Sequence, residues 1–247
     1  MTEIIDNELF FIEEAQAKLK TDPFVVVGIP AFNEELTIAR VVLLSQNFAD
    51  AVIVCDDGSS DLTGAIARRM GAEVIQHKHN RGYGAAIQSL FRRAVELNAD
   101  ILVTLDGDGQ HDPREIPDVV KPIVQNETDI VIGSRFQNAK GTSEMRLYRQ
   151  IGAKIVTGII NSSSKTKVTD AQSGFRAYGI NALNKLHIHD NGMGASVQIL
   201  LDAGRHCLNI SEVPASCKYK VGVRTSTINP LTHGAGLILS MIHFLLT

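Results

Sequence analysis

The chain has 247 residues, enough for one α/β domain or two small ones, and its 44% hydrophobic and 21% charged content is ordinary for a globular protein. A net charge of −3 excludes a globally basic nucleic-acid binder. Cys55, Cys207 and Cys217 form no metal-ligand spacing and suit a reduced, cytoplasmic compartment. In chain order, residues 1–23 read as an amphipathic extension, with Ile4, Ile5, Leu9, Phe11, Ile12, Ala15 and Leu19 laced with acids. Phe24–Ile29 is an apolar strand, and Pro30–Glu35 turns it into a helix through Leu36, Ile38, Val41 and Leu44. Ala51–Cys55 is the next strand, followed by a Ser/Asp cluster suited to capping a helix over Leu62–Met70. Glu73–Gln76 is a third strand, with Arg81-Gly82-Tyr83-Gly84 opening a helix over Ala85–Leu97. Ile101–Leu105 is a fourth strand, Pro113–Val124 a helix, and Asp129–Gly133 a fifth strand.

Strands alternating with helices predict a doubly wound, mostly parallel sheet with helices on both faces. After Arg135 the pattern weakens. A helix around Leu147–Ile160 and strands at Gly174–Tyr178 and Leu208–Tyr219 belong to a less regular second half of a domain spanning 24–228. The stretch Arg135–Lys185 holds nine basic residues against Glu144 and Asp170, which is either a solvated face or an attraction to anionic phosphate or membrane. Residues 229–247 contain the apolar run Gly234–Leu246, too short to span a bilayer. It can lie in a membrane interface, pack on the domain or pair with a second subunit. No signal peptide is recognisable. The pairs His77/His79 and His187/His189 have no acidic or thiol companion at ligand spacing and read as structural or surface residues.

The densest chemical signal is Asp106-Gly107-Asp108-Gly109-Gln110, directly after the fourth strand. Alternation along an extended chain points both acids the same way, and the glycines admit a ligand close to the backbone. Hard oxygen ligands at a strand end suit Mg²⁺ or Mn²⁺ bound to phosphate oxygens. A calcium loop is excluded, because its sixth and twelfth positions need Gly and Glu where this chain has His111 and Pro117. Glu34, Asp57, Asn80 and the Asp106/Asp108 pair all follow predicted strands, so a parallel sheet brings them to one crevice at its carboxyl edge. Neither a Gly-x-Gly-x-x-Gly turn nor a phosphate loop ending in Gly-Lys-Ser/Thr is present.

The ordered set Ile29-Pro30-Ala31-Phe32-Asn33-Glu34, Cys55–Asp61, Asn80–Gly84, Asp106–His111 and Gly133-Ser134-Arg135-Phe136 resembles family-2 inverting glycosyltransferases of the GT-A fold. Asp170–Arg176 and Glu212-Val213-Pro214 make the polyprenyl-phosphate enzymes, of the dolichol-phosphate mannose or glucose synthase type, the most similar subgroup. The resemblance implies that Pro30, Phe32, Glu34, Cys55 and Asp57 contact base and ribose, with Asn80 in the same crevice and Gly107 close to the nucleotide. It further implies that Asp106, Asp108 and Gln110 hold the divalent metal, that Arg135 and Arg149 engage phosphate, and that Arg176 lies near the sugar. Lys220 and Arg224 would close over the diphosphate, although the spacing around them departs from the family pattern.

The implied reaction is metal-dependent inverting transfer of a sugar from a nucleotide sugar (GDP-mannose, UDP-glucose or UDP-N-acetylglucosamine) to a polyprenyl phosphate. It would take place at the cytoplasmic face of the membrane. An ionised phosphate acceptor needs no strong base; a hydroxyl acceptor would need one, with Asp170 or His111 as the candidate. A family-2 enzyme acting on a polysaccharide or soluble acceptor is the alternative. A nucleotidyltransferase is less compatible with Pro30-Ala31-Phe32-Asn33, which is not a Gly-rich Arg-Lys loop.

Overall fold

A computed structural model describes residues 22–137 and 167–218, together with helical positions 154, 157, 158, 160 and 161. The elements are β1 (Val25–Ala31), α1 (Ile38–Ser45), β2 (Ala51–Asp56), α2 (Thr63–Arg69), β3 (Glu73–Gln76), α3 (Tyr83–Glu96) and β4 (Ile101–Thr104). A 3-10 turn (Pro113–Glu115) then leads into α4 (Ile116–Val124), β5 (Ile130–Ser134), β6 (Arg176–Gly179), α5 (Ile180–Lys185), α6 (Ala195–Arg205) and β7 (Ile210–Pro214). The expected amphipathic extension and the C-terminal apolar run lie outside the described residues, as does most of the helix expected around Leu147–Ile160.

The strands form one 7-stranded sheet in the order β3-β2-β1-β4-β6-β5-β7. Every pairing is parallel except those of β6, which runs antiparallel to both β4 and β5. All seven residues of β1 are buried, as expected for a central strand covered on both faces. Val25, Val27, Ile29 and Ala31 point into a core shared with α1, α2 and α4 through Ile38, Val41, Ala67 and Val119. Val26 and Ile53 point the other way, into a core built with α3, α5 and α6 through Ile87, Leu90, Leu183 and Ile199. Helices on both faces make this the doubly wound architecture that the alternation predicts, and its long buried strands drive the collapse.

The second half departs from the sequence pattern in two ways. Helices α5 and α6 were not foreseen. The reversal of β6 was also not foreseen, and it matters for the site. Thr104 pairs with Arg176 and Ile132 pairs with Arg176, so the start of β6 lies at the carboxyl ends of β4 and β5. The segment leading into β6, residues 170–175, is thereby delivered to the crevice edge. β7 runs parallel to β5 and brings its exit, Ala215–Lys218, to the same edge.

Candidate active site

The crevice is a cavity of about 210 Å³ at the carboxyl edge. One wall is the β1 exit, with Pro30, Phe32 and Glu34; the floor is Asp106, Gly107 and Asp108. Tyr83, Gln172, Gly174, Met193 and Ser196 complete it. The β1 exit is pinned to the β2 exit by Asn33, which adopts a left-handed backbone (φ 56°). Its N–H donates to Ser59 Oγ (2.9 Å) and its amide oxygen accepts from Ser60 N (2.9 Å). Phe32 is left 40% exposed, an apolar face available for stacking.

Asp106 and Asp108 converge by a different route from the one expected. β4 ends at Thr104, and residues 107–109 form a turn with Gly109 at φ 70°. Asp108 Oδ1 accepts from Gln110 N (2.9 Å), which tightens that turn, and Thr37 Oγ1 donates to the Gly107 carbonyl (2.8 Å). The turn, rather than strand alternation, brings the acids together. Burial first and the Asp108 carboxylate next push Asp106 up to about 7; Arg135 opposes them, Glu34 adds to them and Arg176 opposes. Crowded carboxylates at an opening lined by oxygen donors form a set that suits a divalent cation.

Several other residues are placed differently from the sequence reading. Cys55 is fully buried on the α3 side of β2, beside His77 Nε2 (3.6 Å), and does not line the cavity. Burial and Asp57 raise its thiol to about 12. Asp57 is only 4% exposed, and its carboxylate accepts from His77 Nδ1 (2.6 Å), Arg81 N (2.9 Å) and Gly82 N (2.8 Å). It holds the loop before α3 in place and does not face the cavity. Asn80 lies on that same loop and is exposed. The Gln110 amide oxygen accepts from the Cys217 thiol (3.6 Å), and Gln110 does not line the cavity beside the two aspartates.

Arg176 does not line the cavity. It is 2% exposed, and its guanidinium donates to the carbonyls of Ser173 (2.8 Å), Ser196 (3.0 Å) and Ala171 (2.7 Å), tying the crevice segment to α6. Arg135 Nε and Nη2 donate to Asp170 Oδ2 (2.7 Å) and Oδ1 (2.8 Å), a bidentate pair with Asp170 fully buried. Burial alone would raise the Asp170 carboxyl, but the Arg135 hydrogen bonds outweigh it and hold it below its ordinary value. His111 is buried, with Nδ1 3.3 Å from the Ser216 carbonyl; burial first and Arg135 second lower it to about 4. Both candidate bases are therefore poor ones. Arg149, Lys220 and Arg224 lie outside the described residues.

The profile "Glycosyl transferase family 2" matches residues 26–187. The chain is a family-2 glycosyltransferase. The UDP-N-acetylglucosamine–dolichyl-phosphate N-acetylglucosaminyltransferase of Methanococcus voltae is 35% identical over 218 residues, covering 80% of this chain and 87% of that protein. The dolichyl-phosphate hexose transferase of Haloferax volcanii is 29% identical over 223 residues, covering 90% and 92%. Among solved structures, the glucosyl-3-phosphoglycerate synthase of Mycobacterium tuberculosis with Mn²⁺, UDP and phosphoglyceric acid superposes with a TM-score of 0.69. Identity there is 21%, with 92% of this chain and 80% of that chain covered. That likeness establishes the GT-A fold.

In this family-2 glycosyltransferase, sequence reasoning did not single out Tyr83, Gln172, Gly174, Met193 and Ser196 as lining residues. The glycines were the available signal. A Cβ on Gly84 would collide with the Asp190 carbonyl, and one on Gly82 (φ 100°) with the Asn191 carbonyl. The loop ahead of α6, which carries Met193, is thus packed directly on the first turn of α3. Among the described residues, a His187/Asp202/His206 cluster brings ligand atoms within 4.8 Å of one another. It lies toward the opposite end of α6 from Ser196, about 15 Å along the helix from Ser196 to His206, and is separate from the crevice.

Proposed function

We propose that this glycosyltransferase moves a sugar from a uridine diphosphate sugar to the phosphate of a polyprenyl lipid, with inversion at the anomeric carbon. The observation carrying this reading is the likeness to relatives named for transfer to dolichyl phosphate, and the state of the two bases that the sequence offered agrees with it. Asp170 is held by Arg135, and His111 is buried with a strongly lowered pKa. A hydroxyl acceptor must lose a proton to something; a phosphate acceptor is ionised at neutral pH and needs no such partner. Relatives named for dolichyl-phosphate transfer support the same acceptor, and the Methanococcus voltae relative supports UDP-N-acetylglucosamine as the donor to try first.

Phe32 would stack on the base, and Glu34 would accept from ribose hydroxyls at the open side of the crevice. Asp106 and Asp108 would hold Mg²⁺ or Mn²⁺. The ion would neutralise charge on the departing nucleoside diphosphate and keep Asp106 a carboxylate engaged in coordination. Arg135, fixed by Asp170, would supply positive charge beside the diphosphate; deletion of a single such donor in other enzymes costs on the order of 3 kcal/mol of transition-state stabilisation. No helix among the described residues is long and apolar enough to cross a membrane. Access to a lipid phosphate would come through peripheral contact by the basic stretch and residues 229–247.

The test is product analysis with dolichyl phosphate, Mn²⁺ and a panel of UDP-N-acetylglucosamine, UDP-glucose and GDP-mannose. The expected product is one lipid-linked sugar phosphate from a uridine donor. Transfer only to free sugars or to glycerol phosphates would replace the lipid acceptor. Flotation with anionic liposomes, comparing the full chain with one ending at Asn229, tests the membrane contact; equal recovery of both removes the C-terminal segment from it.

A further inference from the structure

Glu212 belongs to the edge strand β7, where it pairs with Ile132 of β5. Its carboxylate faces the 168–170 segment and collects several donors. Thr169 N lies 2.9 and 2.8 Å from its two oxygens, Thr169 Oγ1 2.7 Å, Asp170 N 3.0 Å and Gln137 Nε2 3.2 Å. Two consecutive backbone N–H groups are thus gathered by one anion, which fixes the chain direction at Asp170. Asp170 in turn accepts from Arg135 N (3.1 Å), Nε (2.7 Å) and Nη2 (2.8 Å). Ser134 Oγ and Thr169 Oγ1, 2.6 Å apart, tie the same two segments together. Asp170 also begins the segment whose Gln172 and Gly174 line the crevice, so the Arg135 pair stands at the crevice edge.

We infer that Glu212 is a positioning residue for catalysis, acting through Asp170 to aim the Arg135 guanidinium at the diphosphate end of the crevice. A carboxylate is suited to this task because every contact it makes is from a donor, and four of the five contacts fall on Thr169 and Asp170. Its strand supplies the stiffness: β7 is pinned to β5, whose last residue, Ser134, precedes Arg135 in the chain. Asp170 and Arg135 are therefore both referred to the same strand pair. Freeing Thr169 and Asp170 would let the bidentate pair rotate without unfolding the sheet. This relay deepens the proposed function, since it rests on Arg135 serving the diphosphate.

The experiment compares Glu212→Ala, Glu212→Gln and the parent chain, read first by NMR of the arginine Nε–Hε groups. The Arg135 signal is assigned by its loss in Arg135→Lys. In the parent it should be protected from solvent exchange by the bond to Asp170, and Glu212→Gln, which keeps an acceptor oxygen, should retain it. Glu212→Ala should lose the protection while the sheet stays folded by circular dichroism. Should Glu212→Ala fail to fold, Glu212→Asp, which draws the carboxylate back, reads the same signal. An Arg135 signal unchanged in the shortened variant overturns the relay.

Kinetics supply the second arm. Glu212→Ala should lower kcat about 10- to 100-fold, as loss of an outer-shell partner does, with the donor KM nearly unchanged. In an Arg135→Lys background the same change should cost almost nothing more, because residues acting through one another are not additive. Equal fold-losses in both backgrounds also overturn it. If the parent transfers nothing to dolichyl phosphate, the acceptor reading fails, while the NMR arm still decides the relay.

Discussion

Gly174 stands directly against Asp106: a Cβ built on Gly174 would lie 2.7 Å from both carboxylate oxygens. The two residues come from the segment just after β4 and from the segment entering β6, and the Thr104 Oγ1 bond to the Gly174 carbonyl (2.9 Å) holds those segments together. The glycine is there to leave the carboxylate its space.

Gly174→Ala should therefore push Asp106 out of place while leaving the core intact. A displacement of about 1 Å at a reacting centre can cost about 100-fold in rate. Turnover at saturating Mn²⁺ should fall by that order with circular dichroism unchanged. An alanine enzyme of parental activity would remove the crowding argument.

Asp106 also makes a pH prediction for the metal-free protein. Its folded-state pKa is raised to about 7 from an ordinary value of 3.8, so protonation favours the folded state. The stability linked to that proton is present below the ordinary carboxylate range and is lost as pH rises through 7. Asp106→Asn should lack this decline. Its melting temperature should exceed the parent's by a margin that grows from pH 4 to 7 and then levels, worth on the order of 2 kcal/mol after discounting for solvent. Mn²⁺ should restore the parent at pH 8 and do little at pH 5, because only the ionised form binds the cation.

The Arg135–Asp170 pair works with the opposite sign. Asp170 is held below its ordinary pKa, so its stabilising contribution is present above the ordinary carboxylate range and lost as pH falls through its folded-state value. Asp170→Asn removes the charge beside a guanidinium whose side chain is only 15% exposed. Urea denaturation at pH 7 should show a loss of about 3 kcal/mol, with a flatter acid limb than the parent. A loss below about 1 kcal/mol would place the pair at an ordinary exposed surface.

Thiol labelling checks the second core. Cys207 is exposed, whereas Cys55 and Cys217 are buried, with Cys55 raised to about 12 by burial and by Asp57. A disulfide reagent at pH 8 should modify Cys207 at once and reach the other two only in denaturant, since the thiolate is the reactive form. Rapid labelling of Cys55 in the native protein would contradict its packing between β2 and α3.

The first half of the molecule was legible because its signals are local. Continuous apolar strands such as Val25–Ala31, amphipathic helices and turn residues declare themselves within a few positions, and a parallel sheet then brings every strand exit to one edge. Asp106, Asp108 and Glu34 could be placed there on that reasoning. Beyond Arg135 the pattern does not show that β6 runs backwards or that α6 caps the crevice, because those outcomes rest on contacts between distant segments.

What the sequence by itself determined is the fold class, the sheet edge at which the polar residues gather and the acidic floor of the crevice. Tertiary structure alone decided which polar groups are available there. Asp57 is turned inward by His77 and two backbone N–H groups, Gln110 is drawn to Cys217, and Asp170 is engaged by Arg135. The physical reason is that a buried polar group must find its partner wherever the chain brings one. For Asp170 that partner is 35 residues away and for Gln110 107, separations that leave no periodic trace in the sequence.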